Sequence, residues 1–540
     1  MNKCKSYKVV ILETSDVHGT IFPIDYSDNT RKEVGLSKIA TLVKEERDKK
    51  EDLILIDNGD MLQGTPLIYH YANIDSKGIN PLIKVMNIMK YDAAVVGNHE
   101  FNYGKNFLNN AARDSNFRWI SSNIIDKDTR RPYLGRPYII KELENGIKVG
   151  IIGSTTKYIP NWEDSNNIEG IDFLDVIFPL KTFVSYLKNV EKVDLLVVSY
   201  HGGYERNIKT DESTSETGEN QAYEICENIP EIDVLLTGHQ HVFINKKIIN
   251  GVLTVSPGYQ GKALVKVEVT LENSSGSWKV VDKDSILLDT EHVKEDQNIL
   301  NQVEDYEKAT QRWLDTPIGI VEGDMFINSH LKTRLKDNAF VEFINKVQMK
   351  YAKVDISATS LFDNKAKGFK GGITMRNVVS NYIYPNTLKV IRVKGKDIKE
   401  ALERSAAYFQ KGVKDNTYSK DNNIDIRYKN MKIQPYNYDM WEGIDYKLDL
   451  SKPLGKRVVL LNYKNAKLDM NKELDVVMNN YRAGGGGDYD MFKDKPVIRE
   501  INIDMSELIA DYIIKKKVIK AEFDGNWEVI YPKDYFDDQL

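Results

Sequence analysis

Ala93-Ala94-Val95-Val96-Gly97-Asn98-His99-Glu100-Phe101 is the stretch from which the rest of the chain can be read. Four small or β-branched apolar residues give a buried strand, and a polar cluster follows at once. The cluster therefore occupies a loop just past the strand's C-terminal end. There Asn98 offers a metal-ligating oxygen, and His99 offers an imidazole that can carry a proton.

The same pattern recurs on both sides of this stretch. A strand at 8–12 runs into Asp16 and His18, and one at 53–56 into Asp57-Asn58-Gly59-Asp60. A strand at 195–199 runs into His201-Gly202-Gly203, and one at 234–236 into Gly238-His239-Gln240-His241. Helical spacing separates them, as at 36–48 (Leu36, Ile39, Ala40, Val43) and 81–89. Further strands at 93–96, 148–152, 252–255 and 263–269 complete an α/β sandwich with mixed sheet. In such folds ligands bind outside the C-terminal strand ends. Residues as distant in sequence as Asp16 and His241 can then meet at one edge.

A chain of 540 residues is too long for one core, so two domains are expected. The divisions read from the sequence are 1–325 and 326–540. A polar helix at 292–316 closes the first part, and a short strand at 318–322 follows. An amphipathic helix at 338–351 (Phe340, Val341, Phe343, Ile344, Val347) opens the second. Beyond it come a helix at 397–408, a strand at 458–461, an aromatic stretch at 436–441 and the glycine run 484–487.

The composition, 41% hydrophobic and 29% charged, is that of a soluble globular protein. A net charge of −5 gives no basic surplus, which argues against a duplex nucleic-acid partner. The two cysteines, Cys4 and Cys226, are far apart and lack a CxxC neighbour, which excludes a thiolate zinc site and argues against a disulfide framework. The apolar run 9–12 is too short for a signal peptide, and no stretch is long enough for a membrane span. The chain as it stands reads as cytoplasmic, or as exported if it is a trimmed piece of a longer protein. No membrane or protein partner is inferred.

Asp16, His18, Asp60, Asn98, His201, His239 and His241 are the candidate ligands. With thiolates absent, first-row divalent metals favour such imidazole and oxygen donors. Seven are too many for one four-coordinate ion. They suit two ions sharing a carboxylate, about 3.5–4 Å apart, which can clamp both oxygens of a phosphoryl displacement. Water in the open positions ionises near neutral pH and needs no protein base. Each cluster alone reads as a turn or a surface histidine pair. Together they hold five of the eight histidines, always after a strand, and leave His70, His292 and His330 structural.

Asp16-Val17-His18-Gly19, Gly59-Asp60, Gly97-Asn98-His99-Glu100, His201-Gly202 and Gly238-His239-Gln240-His241 together resemble the calcineurin-like metallophosphoesterases. Their order and spacing are similar to the branch with a second, nucleotide-binding domain, the 5′-nucleotidase family. The resemblance implies an αββα sandwich followed by an α/β substrate-binding domain. It also implies two divalent ions (Mn, Zn, Fe or Co) and a small-molecule nucleotide substrate. By the same resemblance Asp16, His18 and His241 hold one ion, Asn98, His201 and His239 the other, and Asp60 bridges. His99 contacts the phosphate and protonates or stabilises the leaving oxygen.

In the 5′-nucleotidases an Asp stands three residues after that histidine, whereas here the position is Asn102. The Asn102-Tyr103-Gly104 version resembles the 2′,3′-cyclic-nucleotide 2′-phosphodiesterase/3′-nucleotidase group. A neutral amide orients the ring but does not raise its pKa as a carboxylate would. The Gly-Gly-Ile-Arg motif of the second domain is replaced by Ala358-Thr359-Ser360-Leu361-Phe362, a departure in the same direction. Thr374-Met375-Arg376-Asn377, Tyr384-Pro385-Asn386-Thr387, Tyr436-Asn437-Tyr438-Asp439-Met440 and Asn480-Tyr481-Arg482-Ala483 also resemble that group. Tyr438 and Tyr481 match the rings that sandwich the base, Asp488 is a candidate for the ribose hydroxyls, and Asn377 is a further substrate candidate. The reaction expected is opening of 2′,3′-cyclic nucleotides to 3′-nucleotides, then hydrolysis to nucleosides and phosphate. The alternatives are a 5′-nucleotidase or nucleotide-sugar hydrolase, and a nucleotide-binding protein that has lost catalysis.

Overall fold

Successive side chains of the strand Lys5–Thr14 (β1) belong to two different cores. Val9 and Ile11 pack with Ile54, Val149, Val197 and Leu236, while Val10 and Leu12 pack with Leu36, Ile39, Leu82 and Met86. This two-residue period is that of a strand covered on both faces. The computed structural model in which this is seen describes the whole chain except residues 1–4, 50–51, 162, 214–217, 275, 385, 410–433, 502, 533–534 and 537–540.

β1 lies parallel to Asp52–Asp57 (β2), which is followed in the sheet by Ala93–Val95 (β3) and Arg118–Ile120 (β4), all parallel. On its other side it runs antiparallel to Ala263–Ser274, which pairs with Ser277–Asp289, making six strands. The second six-stranded sheet has Leu195–His201 and Val234–Thr237 at its centre, parallel to each other and to Lys148–Thr155 and Val252–Pro257. The two sheets share the Val9/Ile11 core. Helices Leu36–Asp48, Pro66–Asn73, Pro81–Met89 and Gly104–Asp114 cover the outer face of the first sheet. Ile177–Tyr186 and Ala222–Asn228 cover the second, around Ile152, Leu196, Val198 and Leu235. The layers are α, β, β, α.

The chain forms two compact units, Met1–Gln311 and Arg312–Leu540. The strand Pro317–Phe326 hydrogen-bonds to Gly368–Thr374 and Val518–Lys520, so it is built into the second unit. That unit centres on a five-stranded sheet in which Ile356–Ser360, Glu473–Asn479 and Leu388–Lys394 are the inner strands. The helix expected at 338–351 spans Ala339–Ala352, and the Asn338 side chain accepts from the Val341 N–H to cap it. Cys226 is buried, and Cys4 lies outside the described residues. Among the described residues no helix is long and apolar enough to cross a membrane.

Candidate metal centre

Five of the seven candidate ligands have left-handed backbone. Asp16, His18, Asp60, His239 and His241 have φ of 51°, 49°, 57°, 68° and 57°. Each lies where a strand has just ended, and the loops are tied to one another. Asp16 N–H donates to Gly59 O at 2.9 Å, His18 N–H to Asp60 O at 2.9 Å, and Gly19 N–H to Met61 O at 2.8 Å. The His239 N–H donates to the Asp16 carboxylate, 2.9 Å from Oδ2. Two glycines permit the close approach. A Cβ on Gly97 would stand 2.3 Å from Asp60 Oδ1, and one on Gly238 would stand 2.1 Å from Ser15 Oγ.

Two donor clusters result. Donor atoms of Asp16, His18 and His241 lie within 4.8 Å of one another, and so do those of Asp60, His201 and His239. His18 Nε2 is 3.0 Å from His241 Nε2, which is 3.4 Å from Asp16 Oδ1. His201 Nε2 is 3.2 Å from Asp60 Oδ2 and 3.2 Å from Asn98 Oδ1. The structure thus gathers all seven expected residues around two points.

The tautomers suit cations. His18 Nδ1–H donates to the Gln63 carbonyl at 3.1 Å, and His201 Nδ1–H donates to the Asn58 carbonyl at 2.7 Å. With Nδ1 committed, each ring turns its Nε2 toward carboxylate or nitrogen atoms, where it can offer a lone pair once a cation takes the place of a proton. Convergence of such nitrogen and oxygen donors favours a positive charge between them, so the residues fit a divalent ion in each cluster. The electrostatics agree. Burial opposes the charge on His201, yet the charge and hydrogen bond of Asp60 pull it up to about 10. A field that favours a proton there also favours a metal ion. Burial pushes Asp16 up, but the hydrogen bond from His241 and the charge of His201 hold it near about 2. Burial, then the charges of His241 and His99, bring His18 down to about 4.

Glu100 had no assigned role in the sequence, and it anchors the centre. Its fully buried carboxylate accepts four backbone N–H bonds: Gly97 at 2.6 Å and Asp60 at 2.9 Å on Oε2, Met61 at 2.7 Å and Leu62 at 3.0 Å on Oε1. The β2 and β3 loops are thereby held on one side chain. His99 N–H adds a bond to Asp60 Oδ1 at 2.7 Å. Two other residues were also missed. Glu219 Oε1 lies 2.9 Å from His239 Nε2, and Tyr259 stacks on His241 with ring centroids 5.0 Å apart.

His99 stands beside both clusters, its ring centroid 5.2 Å from that of His18. Its Nδ1 is 2.6 Å from Asn102 Oδ1, as the sequence reading expects of a pair. The Asn102 amide nitrogen donates to Glu163 Oε2 at 2.7 Å.

The second unit bears less resemblance to the expectation. Tyr438 is fully buried between Tyr408 and Phe409, and its hydroxyl donates to the Arg334 carbonyl at 2.8 Å. In this structure its ring is covered on all sides, unlike the exposed ring expected to stack on a base. Residues Pro435–Asn437 form a 3-10 turn, and Tyr436 is the tyrosine left half-buried, edge-on to the exposed Tyr384 with centroids 6.3 Å apart. Tyr481 is half-buried over Gly486, where a Cβ would come 2.5 Å from its ring. Asp488 is half exposed and accepts from Arg404 at 2.9 Å. Asn377 uses its side-chain oxygen to accept from Thr374 N–H at 2.8 Å, capping the helix Met375–Asn381. That bond is structural and gives no sign of a substrate contact.

Comparison with known proteins agrees with this geometry. The calcineurin-like phosphoesterase family matches residues 9–243, and the 5′-nucleotidase C-terminal domain matches residues 317–494. The chain is 30% identical to the 2′,3′-cyclic-nucleotide 2′-phosphodiesterase/3′-nucleotidase of Salmonella typhimurium, over 88% of this chain and 81% of that protein. It is 29% identical to the trifunctional nucleotide phosphoesterase protein YfkN of Bacillus subtilis, over 96% of this chain but only 38% of that longer protein. Among solved structures it is similar to a Staphylococcus aureus protein provisionally named a 5′-nucleotidase. The identity is 31% and the TM-score 0.81, covering 97% of this chain and 100% of that one.

Proposed function

Because the chain belongs to the calcineurin-like phosphoesterases that carry a 5′-nucleotidase C-terminal domain, we propose that it opens 2′,3′-cyclic nucleotides to 3′-nucleotides and then hydrolyses these to nucleosides and phosphate. The observation that carries the reading is the Asn102 oxygen on His99 Nδ1, where a 5′-nucleotidase has a carboxylate. The names of the relatives support it.

Asp16, His18 and His241 would hold one divalent ion and Asn98, His201 and His239 the other, with Asp60 shared. Such a donor set suits Mn, Zn, Fe or Co. When bound, the two ions supply Lewis-acid activation of water and neutralise charge on the phosphate. The protein's own groups do the rest. Asn102 keeps the His99 Nδ1 proton in place, so Nε2 is the atom that faces the substrate. From there His99 gives a proton to the 2′ oxygen as the P–O2′ bond breaks, and later to the 3′ oxygen of the second substrate. In the second unit, Tyr481 and the half-buried Tyr436 are the rings suited to stack on a base, and such stacking accepts any base. Asp488 is positioned by Arg404 to receive ribose hydroxyls.

The test is turnover of 2′,3′-cyclic AMP, 3′-AMP and 5′-AMP by metal-loaded protein, read by phosphate release and by chromatography of the products. Turnover of the first two with little of the third, abolished by chelation, is the expected result. Preference for 5′-AMP would overturn the meaning given to Asn102 and leave the two-ion site standing.

A further inference from the structure

The carboxylate absent from position 102 is present one side chain further out. Glu163 is 7% exposed and lies 61 residues beyond Asn102 in the sequence. Its Oε2 accepts from the Asn102 amide nitrogen at 2.7 Å. Its Oε1 accepts from Asp164 N–H at 2.8 Å and from the Asn167 amide at 3.0 Å. Asn167 also donates to the Asn102 backbone carbonyl at 3.3 Å, so the group is locked to the loop that carries His99. Three N–H donors on one side chain suit an acceptor-only carboxylate.

This arrangement settles which way the Asn102 amide points. Burial raises the Glu163 carboxyl, and the N–H groups of Asn167, Asp164 and Asn102 oppose that shift; against the ionised carboxylate, which accepts and cannot donate, the atom of Asn102 that faces it is the NH2 group. The amide oxygen then faces His99, and His99 Nδ1 must carry a hydrogen. Were the amide reversed, its oxygen would meet the Glu163 carboxylate 2.7 Å away, and its NH2 would meet the ring.

We propose that Glu163 is a positioning residue for the leaving-group step, acting through Asn102 to hold His99 with its proton-donating Nε2 toward the substrate. His99, Asn102 and Glu163 form a relay in which amide and carboxylate have exchanged the places expected of a His–Asp pair. In the step itself a water oxygen forms the new bond to phosphorus, the bond from phosphorus to the ribose oxygen breaks, and the Nε2 proton of the charged His99 ring passes to that departing oxygen. The ring is left neutral, with Nδ1–H still on Asn102. Asn102 and Glu163 stay in their protonation states throughout, and water is the one other reactant, its oxygen remaining on the phosphate. The inference rests on His99 as the proton donor in the reading above.

The exchange makes the two positions interdependent. Asn102→Asp alone sets two carboxylates in contact in a buried pocket, where like charges cannot both be sustained. Glu163→Gln alone lets the Asn102 amide turn over. Asn102→Asp with Glu163→Gln restores a carboxylate against the ring and an amide behind it.

The experiment compares 3′-AMP, whose ribose oxygen needs a proton to leave, with p-nitrophenyl phosphate, whose phenolate leaves without one. Wild-type protein, the two single variants and the double variant are loaded with metal, and kcat and KM are measured for both substrates. Glu163→Gln is expected to lower kcat for 3′-AMP by about 10- to 100-fold, a part of the roughly 100- to 10,000-fold that a positioned proton donor contributes. KM and turnover of p-nitrophenyl phosphate should change little. The double variant is expected to recover most of the 3′-AMP rate, beyond either single variant. Equal loss on both substrates would show a merely structural role and overturn the proposal, as would no loss on either. If Glu163→Gln fails to fold, the double variant decides alone: a retained rate ratio between the substrates supports the relay, and a collapsed ratio overturns it. Failure of wild-type protein to hydrolyse 3′-AMP at all would instead strike the functional reading on which the proposal stands.

Discussion

Replacing Glu100 with Gln tests whether one side chain holds the centre together. A carboxylate has about four lone-pair directions, and all four are filled here by backbone N–H groups at 2.6–3.0 Å. The amide of Gln is nearly the same shape but keeps only one oxygen. Two N–H groups retain an acceptor, and the other two face the new NH2. Hydrogen bonds to a charged group contribute roughly 1.5–3 kcal/mol each, so losing two costs about 3–6 kcal/mol. The Asp60 and His99 loops would slacken with it. For a unit of this size about 2 °C follows each kcal/mol, so thermal unfolding of the first unit should fall by about 6–12 °C. Metal affinity should fall as well, since Asp60 N–H and Gly97 N–H share one Glu100 oxygen. Calorimetry of metal-free protein separates the two effects, because it isolates the fold from the ions. A midpoint within about 2 °C of wild type would refute the argument, since it would mean that the four N–H groups do not depend on a charged acceptor.

Two contrasts probe the second unit. Tyr481→Ala should raise KM for nucleotides by about 5- to 150-fold, the equivalent of roughly 1–3 kcal/mol of base stacking, and leave p-nitrophenyl phosphate unaffected. Tyr438→Phe should lower stability by about 1 kcal/mol, through loss of its bond to Arg334, with no change in KM; a KM rise like that of Tyr481→Ala would restore Tyr438 to the binding site. Glu442 gives a pH dependence. Burial, then the charges of Asp524, Glu342 and Asp337, push it up to about 8. An unfolded Glu ionises near its ordinary value, about 4.3. The protonated folded form is therefore fully favoured below that pH, and the contribution is lost as pH rises through about 8. Glu442→Gln should flatten this decline, so that unfolding of the second unit, followed by calorimetry across that range, depends less on pH than in wild type. An unchanged slope would mean that Glu442 is ionised in the fold throughout.

The five clusters were legible because each sets polar residues directly after an apolar strand, and a strand end fixes the position of the next few residues. The carboxylates that organise the clusters were not legible. Glu100 was in plain view beside His99, but nothing in the order of residues says that its side chain turns back onto four amides. Glu163 lies in a segment without helical or strand period, so its approach to Asn102 is a product of the fold alone. Tyr436 and Tyr438 show the limit more finely. Both belong to one motif, and a 3-10 turn at Pro435–Asn437 decides which is buried. The strand Pro317–Phe326 fell on the wrong side of the expected boundary for a related reason. Its partners are Gly368–Thr374 and Val518–Lys520, and pairing across such distances leaves no local mark.

The left-handed ligands explain why the clusters can converge. Along a continuing strand, residues i and i+2 face the same way but remain a full strand repeat apart, roughly 6–7 Å. Asp16 and His18, and likewise His239 and His241, are such pairs, yet Asp16 and His18 bring donor atoms within 4.8 Å of each other and of His241. Positive φ at these positions folds the strand ends back on themselves. The conformation costs about 1–2 kcal/mol per ordinary residue, and somewhat less for Asp, Asn and His, which adopt it most readily after glycine. The side chains that bind cations are thus also those that best tolerate the required turn. Strain of this kind persists only where surrounding structure over-determines it. Here that role falls to the backbone bonds between the β1 and β2 loops, to the four amides on Glu100, and to His239 N–H on Asp16. The polypeptide's own hydrogen bonds thus hold the ligand loops together, and loosening a loop such as Glu100's should weaken ion binding even though every ligand is still present.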